Sequence, residues 1–135
     1  VRASNACIAH QSVRAKVAFE NQGTFEWDII IDKYCQHTWI GVCASENFDY
    51  EKFAGIQNTG WVLSSTGFIG SKDYCPSFAT DNSKVTIHLY MNKKICAFTI
   101  NGVKYSAVSE WNNLTSKLYP VVSLVYPDQF RIQFH

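Results

Sequence analysis

Amphipathic helix patterns, long apolar runs and charge clusters of one sign are all scarce in these 135 residues. With helix signals nearly absent, the chain is expected to be all-β. No apolar run approaches the roughly 20 residues of a membrane-spanning helix, so no membrane partner is expected. Basic and acidic residues number 12 and 11, are interspersed and leave a net charge of +1. That balance lacks the basic stripe of a nucleic-acid binder. No linker, low-complexity tract or internal repeat divides the chain, and 135 residues suit a single domain over 1–135, expected to be monomeric.

Paired cysteine spacing is also missing. Cys7, Cys35, Cys43, Cys75 and Cys96 are odd in number and irregular in spacing, which argues against a disulfide framework. Cys43 and Cys96 lie inside apolar runs, where a thiol acts as a small hydrophobe. Reduced thiols and the lack of a signal-peptide pattern give a cytoplasmic expectation. Secretion stays open, because a processed signal leaves no trace and Asn113-Leu114-Thr115 fits the N-glycosylation acceptor pattern.

Aromatic residues are plentiful, at 15% of the chain. Four Trp, seven Tyr and nine Phe exceed what an average core needs, so some are expected at a surface. Strand patterns recur at short intervals. In "KVTIHLYMNKKICAFTINGVKY", Val85, Ile87, Leu89 and Met91 share one face, and Lys84, Thr86, His88 and Tyr90 share the other. Asn92 to Lys94 form a polar turn, Cys96, Phe98 and Ile100 share a face, and Asn101-Gly102 is a favoured hairpin turn. "FEWDIII" sets Phe25, Trp27, Ile29 and Ile31 against Glu26, Asp28, Ile30 and Asp32. "TWIGVCA", "GWVLSSTG", "LYPVVSLVY" and "FRIQFH" add further strands, and "CIAHQSVRAKVAF" two short ones. Many short strands with turns between them indicate a sandwich or barrel.

In order and spacing these strands resemble the SPRY (B30.2-like) domain over nearly the whole chain. Trp27-Asp28-Ile29 is similar to its aromatic-Glu-Val strand, "WIGVCA" to its Gly-Val-Ala strand, and "GWVL" to its Gly-Trp-aliphatic strand. "LYMNKKICAFTINGV" and "LYPVVSL" are similar to its Asn-Gly and Leu-Tyr-Pro blocks. Two positions depart from the pattern: Tyr90 stands where Asp is usual, and Asp28 is one methylene shorter than the family's acid. The resemblance implies a bent β-sandwich of two antiparallel sheets in a concanavalin-like jelly roll. It also implies a non-catalytic module that binds protein or peptide ligands through loops at one end of the sandwich, without cofactor, such as the recognition part of a ubiquitin-ligase adaptor.

Three segments carry the expected site. The loop Ser45 to Thr59, the "SVRA" stretch and the last inter-strand turn converge on a peptide in the resembling domains. Carried over, they point to Arg14, Tyr50, Phe53, Tyr126 and Asp128, with Phe48, Lys72 and Tyr74 extending the patch. Tyr presents a rigid apolar face and a hydroxyl at little entropic cost, and Arg holds carbonyls or carboxylates.

Three rival chemistries are set against it. Glu26, Asp28 and Asp32 share a strand face, the first two roughly 7 Å apart along the chain, and glycoside hydrolysis would need one acid to hold a proton in a cleft while its partner stays ionised. The common alternative is an exposed face of acids paired with neighbouring bases. Cys35, His37 and Cys43 offer zinc ligands without zinc-site spacing, and a Cys–His nucleophile needs Cys35 or Cys75 beside His10, His37 or His88. His88, on the outward face, is expected at the surface. A lectin-like carbohydrate site using Trp111, Tyr74 and Asn58 is the main alternative function.

Overall fold

The computed structural model describes residues 11–14, 18–20, 22–33, 38–44, 60–80, 82–124 and 129–135. Twelve strands run through them: β1 Gln11–Arg14, β2 Phe19–Glu20, β3 Thr24–Lys33, β4 Trp39–Cys43, β5 Gly60–Ser64 and β6 Phe68–Ile69. They continue with β7 Lys72–Asp73, β8 Lys84–Tyr90, β9 Ile95–Ile100, β10 Val103–Lys104, β11 Lys117–Leu124 and β12 Gln129–Phe134. One antiparallel sheet has the order β1-β11-β4-β5, with β2 also on β11. The other has the order β10-β9-β8-β3-β12, and β6 and β7 form a separate hairpin. The protein is an all-β sandwich of two antiparallel sheets.

The alternating strands point as their period requires. Trp27, Ile29 and Ile31 of β3, Val85, Ile87 and Leu89 of β8, and Cys96, Phe98 and Ile100 of β9 enter the core. They meet Ile40 and Val42 of β4, Trp61 and Leu63 of β5, and Leu118 and Val122 of β11 from the facing sheet. Each such fully buried large side chain contributes about 1.5–3 kcal/mol. The run Trp39–Cys43 does not alternate because its sheet is apolar on both faces. Cys43, Val62, Tyr119 and Val121 form a second buried cluster on the outer side, with Ala18 and Trp39 packed against it.

Two turns show why the chain reverses where it does. Asn101 and Gly102 have φ of 48° and 87°, the pair of positive values a tight hairpin between β9 and β10 needs. Asn101 Oδ1 also accepts the Lys84 N–H at 2.8 Å, tying that turn to the start of β8. In the turn before β9, Asn92 Oδ1 accepts the Gly23 N–H at 2.5 Å, and Lys94 has φ of 52°. Tyr90, where the family pattern has Asp, lies with its hydroxyl 3.4 Å from Lys104 Nζ. The turn closes without the acid.

Candidate functional site

β5 and β9–β10 belong to different sheets, and an aromatic cluster closes the flank of the sandwich between them. After β5 the chain turns at Ser65 to Gly67 into the β6–β7 hairpin. Gly67 has φ of 96°, and a Cβ there would stand 2.0 Å from the Cys75 carbonyl oxygen, so only glycine fits. Its carbonyl accepts the Tyr74 and Cys75 N–H groups at 2.9 and 3.2 Å, which brings Tyr74 back over the sandwich. From the other sheet, Tyr105 N–H donates to Phe98 O and Val108 N–H to Cys96 O, both at 2.9 Å. Residues 105–108 therefore follow β9 before the chain crosses to Trp111.

Phe98 of β9 sits between two rings. Tyr74 meets it at 5.9 Å and Trp111 at 5.7 Å, both edge-on, and Tyr105 lies 5.8 Å from Tyr74. The Tyr74 hydroxyl donates to the Ser106 carbonyl at 2.5 Å. Burial pushes its phenol pKa up to about 12, so this donor stays protonated.

A cleft of about 250 Å³ opens beside these rings, between the hairpin and residues 105–110. Its floor is Ile69, Tyr74 and Tyr105, and its rim carries Lys72, Asp73, Ser109 and Glu110. Lys72 Nζ bridges to Glu110 Oε1 at 2.6 Å, and that bond holds the Glu110 carboxyl below the usual carboxylate range. Across Ile69 lies a second cleft of about 300 Å³, lined by Trp39, Trp61, Trp111 and the backbone at Gly60 and Gly70. Trp61 Nε1–H is committed to Asn113 Oδ1 at 2.9 Å.

Of the eight residues expected to bind ligand, Lys72 and Tyr74 are brought together in the first cleft. Phe48, Tyr50, Phe53, Tyr126 and Asp128 lie outside the described residues, as does the side chain of Arg14. The strand ends flanking the two loops are described. Tyr119 pairs with Cys43, and Ser123 with Trp39. Cys43 and Gly60 therefore lie at one end of the β4–β11 pair and the end of β11 at the other, so the strand ends that bound the two loops do not converge on the single end expected. Tyr105, Asp73 and Glu110 were not legible as site residues. They become neighbours only because the Asn101-Gly102 turn folds residues 105–110 back along β9.

The outer face of the second sheet collects the acids. Asp28, opposite Thr86 in the ladder, accepts the Thr86 hydroxyl at 2.6 Å. It also lies 2.9 Å from His135 Nε2 and 3.4 Å from Lys84 Nζ. Burial opposes ionisation of Asp28, but the hydrogen bonds from Thr86 and His135 and the charges of His135 and Lys84 outweigh it. Its pKa lies below the ordinary carboxylate value. A glycosidase acid needs the opposite shift. Asp32 takes the Arg131 Nε–H at 2.8 Å.

His88 is a correction to its expected surface position. It does lie on the outer face, but it is only 9% exposed. Glu26 and Thr99 flank it on β3 and β9: Glu26 Oε2 contacts Nδ1, and Thr99 Oγ1 is 2.7 Å from Nε2. Carboxylate, imidazole and hydroxyl are wired as in an acyl-transfer triad. Thr99, however, lies mid-strand, opposite Thr86 and Lys104 in a three-strand ladder. Its neighbouring N–H groups are spent on that ladder and leave no oxyanion donors.

The remaining rivals are placed as follows. Trp111 is 5% exposed with its ring against Phe98, so it pins its loop rather than offering a free face for a sugar. Asn58, His10, Cys35 and His37 lie outside the described residues. Cys43 is buried in the outer apolar cluster, and no group of three or more His, Cys, Asp or Glu among the described residues is arranged to hold a metal ion. Burial, with the charge of Asp73, pushes the Cys75 thiol up to about 11, far from a reactive thiolate.

Comparison with known proteins matches the chain both to a family model and to solved structures. A family model described as the SPRY domain matches residues 24–135. The crystal structure of the SPRY domain of human HERC1 aligns with a TM-score of 0.73 at 17% sequence identity, covering 93% of this chain and 82% of that chain. At that identity the likeness is one of fold. No curated protein matches the sequence.

Proposed function

The chain belongs to the SPRY domain family, whose members serve generally as non-catalytic interaction modules, and from that premise we propose that it binds a protein or short peptide through its loops. The observation that carries the proposal is the family match over residues 24–135, which span both sheets from β3 to β12. Arg14 of β1, Phe48, Tyr50 and Phe53 between β4 and β5, and Tyr126 and Asp128 between β11 and β12 are the proposed contacts, on segments bounded by strand ends at both ends of the β4–β11 pair. Lys72 and Tyr74 contribute from the hairpin cleft. A few aromatic anchors with a polar rim are the usual carriers of such affinity. The chain acts as one monomeric domain, as the recognition part of a larger protein such as a ubiquitin-ligase adaptor. The buried thiols of Cys43, Cys75 and Cys96 support a reducing, cytoplasmic setting.

Panning a random twelve-residue peptide library on the folded chain tests this. Enriched peptides that bind the purified domain at micromolar or better affinity uphold the proposal. A library that yields none, beside a glycan array that gives saturable binding, replaces it with the lectin alternative.

A further inference from the structure

The tryptophan-lined cleft across Ile69 keeps a hydrogen-bond donor unused. Trp111 lines it and is only 5% exposed, yet its indole N–H has no acceptor among the described residues. A buried donor without a partner is costly, and a site that retains one is suited to receive an acceptor. The other described lining side chains are Trp39, Trp61, Val62 and Ile69, which carry no charge and no acceptor. At Gly70 a Cβ would meet nothing within 4 Å, so the cleft is open beside that turn.

The strand register shows how these walls come together. Trp61, paired with Val42, faces the core, whereas Val62 and Trp39 lie on the outer side of the same sheet. Side chains from both faces of β5 therefore line one cleft, which runs along the edge of that strand. β5 is the last strand of its sheet among those described, and Ile69 and Gly70 of the hairpin form the opposite wall.

An apolar, aromatic site with a donor and no side-chain acceptor suits a ligand rich in acceptors and poor in donors. Proline has an acceptor carbonyl and no N–H. In a polyproline II segment no internal hydrogen bond uses the carbonyls, and the extended form is ordered before it binds aromatic-lined grooves. A sugar would bring hydroxyl donors that none of these side chains accepts, and a charged group would find no counter-charge.

We propose that the cleft between the edge of β5 and Ile69–Gly70 receives a proline of the peptide or protein ligand, in a polyproline II segment whose carbonyl accepts the Trp111 Nε1–H. This rests on the peptide-binding function proposed above and adds the chemistry of one ligand position. Trp39, half-buried against the outer cluster, and Trp61, held by its bond to Asn113, wall the ring. Trp111 supplies the donor.

The test uses peptides selected from the random twelve-residue library on the wild-type chain. Each is titrated as selected and with each of its prolines replaced in turn by alanine. The indole N–H signals of the isotope-labelled wild-type domain are followed by NMR in the same titrations. The proposal expects a recurrent proline whose replacement weakens binding about tenfold or more, as loss of a buried apolar ring entails. It also expects the Trp111 indole signal to move downfield and to exchange more slowly with solvent in the complex, as a new hydrogen bond requires. Selected peptides without proline, alanine forms that bind equally, or a Trp111 indole signal that does not move would each overturn the proline site while leaving peptide binding intact. A library that yields no binder overturns both.

Discussion

Lys72 and Glu110 are joined at 2.6 Å although one belongs to the β6–β7 hairpin and the other to the loop after β10. The pair spans the cleft mouth at an exposed site, with side-chain exposures of 66% and 34%. Solvent and salt screen such pairs. Glu110→Gln is therefore expected to leave the melting temperature unchanged, in low salt and in high. A clear drop in a calorimetric scan would mean that the pair carries the loop's stability.

Tyr74 should behave differently. Tyr74→Phe keeps the ring on Phe98 but removes the donor to Ser106 O. The expected loss is about 0.5–1.5 kcal/mol in urea unfolding. No loss would show that the hydroxyl exchanges its partner for water at no cost.

Asp28 makes stability depend on pH. Its folded pKa is lowered from 3.8, so its contribution is complete at neutral pH and is lost as pH falls through the folded value. The carboxamide of an Asp28→Asn variant cannot ionise. Asp28→Asn is expected to be less stable than wild type at pH 7, and the gap should close below about pH 4. A gap that stays constant down to about pH 2.5, measured by denaturant titration at each pH, contradicts the shift.

Two positions carry the core. Trp27→Ala empties a site that is 1% exposed and should cost about 3–5 kcal/mol. A normally stable variant would show that β3 packs otherwise. Gly41→Ala should prevent folding more completely, since its Cβ would stand 1.9 Å from the Trp61 carbonyl oxygen in the partner strand β5. A folded Gly41→Ala protein by circular dichroism would refute that close approach.

The described thiols are expected to be inert. With Cys7 and Cys35 replaced by Ser, a disulfide reagent at pH 8 should label none of Cys43, Cys75 and Cys96 until denaturant is added. At a pKa of about 11, Cys75 is thiolate in about one molecule in a thousand at that pH, and burial raises Cys96 as well. Labelling in the native state would mean that the core opens locally.

Strand facing was legible because the second sheet has one buried face. Val85, Ile87, Leu89, Met91, Cys96, Phe98 and Ile100 all point inward, as a period of two demands. The motifs at Trp27-Asp28-Ile29, Gly41-Val42 and Asn101-Gly102 fall on β3, β4 and the β9–β10 turn. His88 was misplaced because periodicity reports a face and not what covers it. The side chains of Glu26 and Thr99, from strands 62 and 11 residues away in sequence, contact its ring nitrogens. The cleft was half legible. Tyr74 and Lys72 stand out in a long aromatic connection, whereas Glu110 meets Lys72 only across a tertiary contact no local pattern encodes.

Recognition through the loop Ser45 to Thr59 is decided by retention of a lysate protein on the wild-type domain, set against a Tyr50→Ala/Phe53→Ala variant with an unchanged melting curve. The expected result is a defined protein band on wild type that is lost from the folded double variant. Equal retention by both proteins, or a glycan ligand unaffected by the two substitutions, would contradict recognition by that loop.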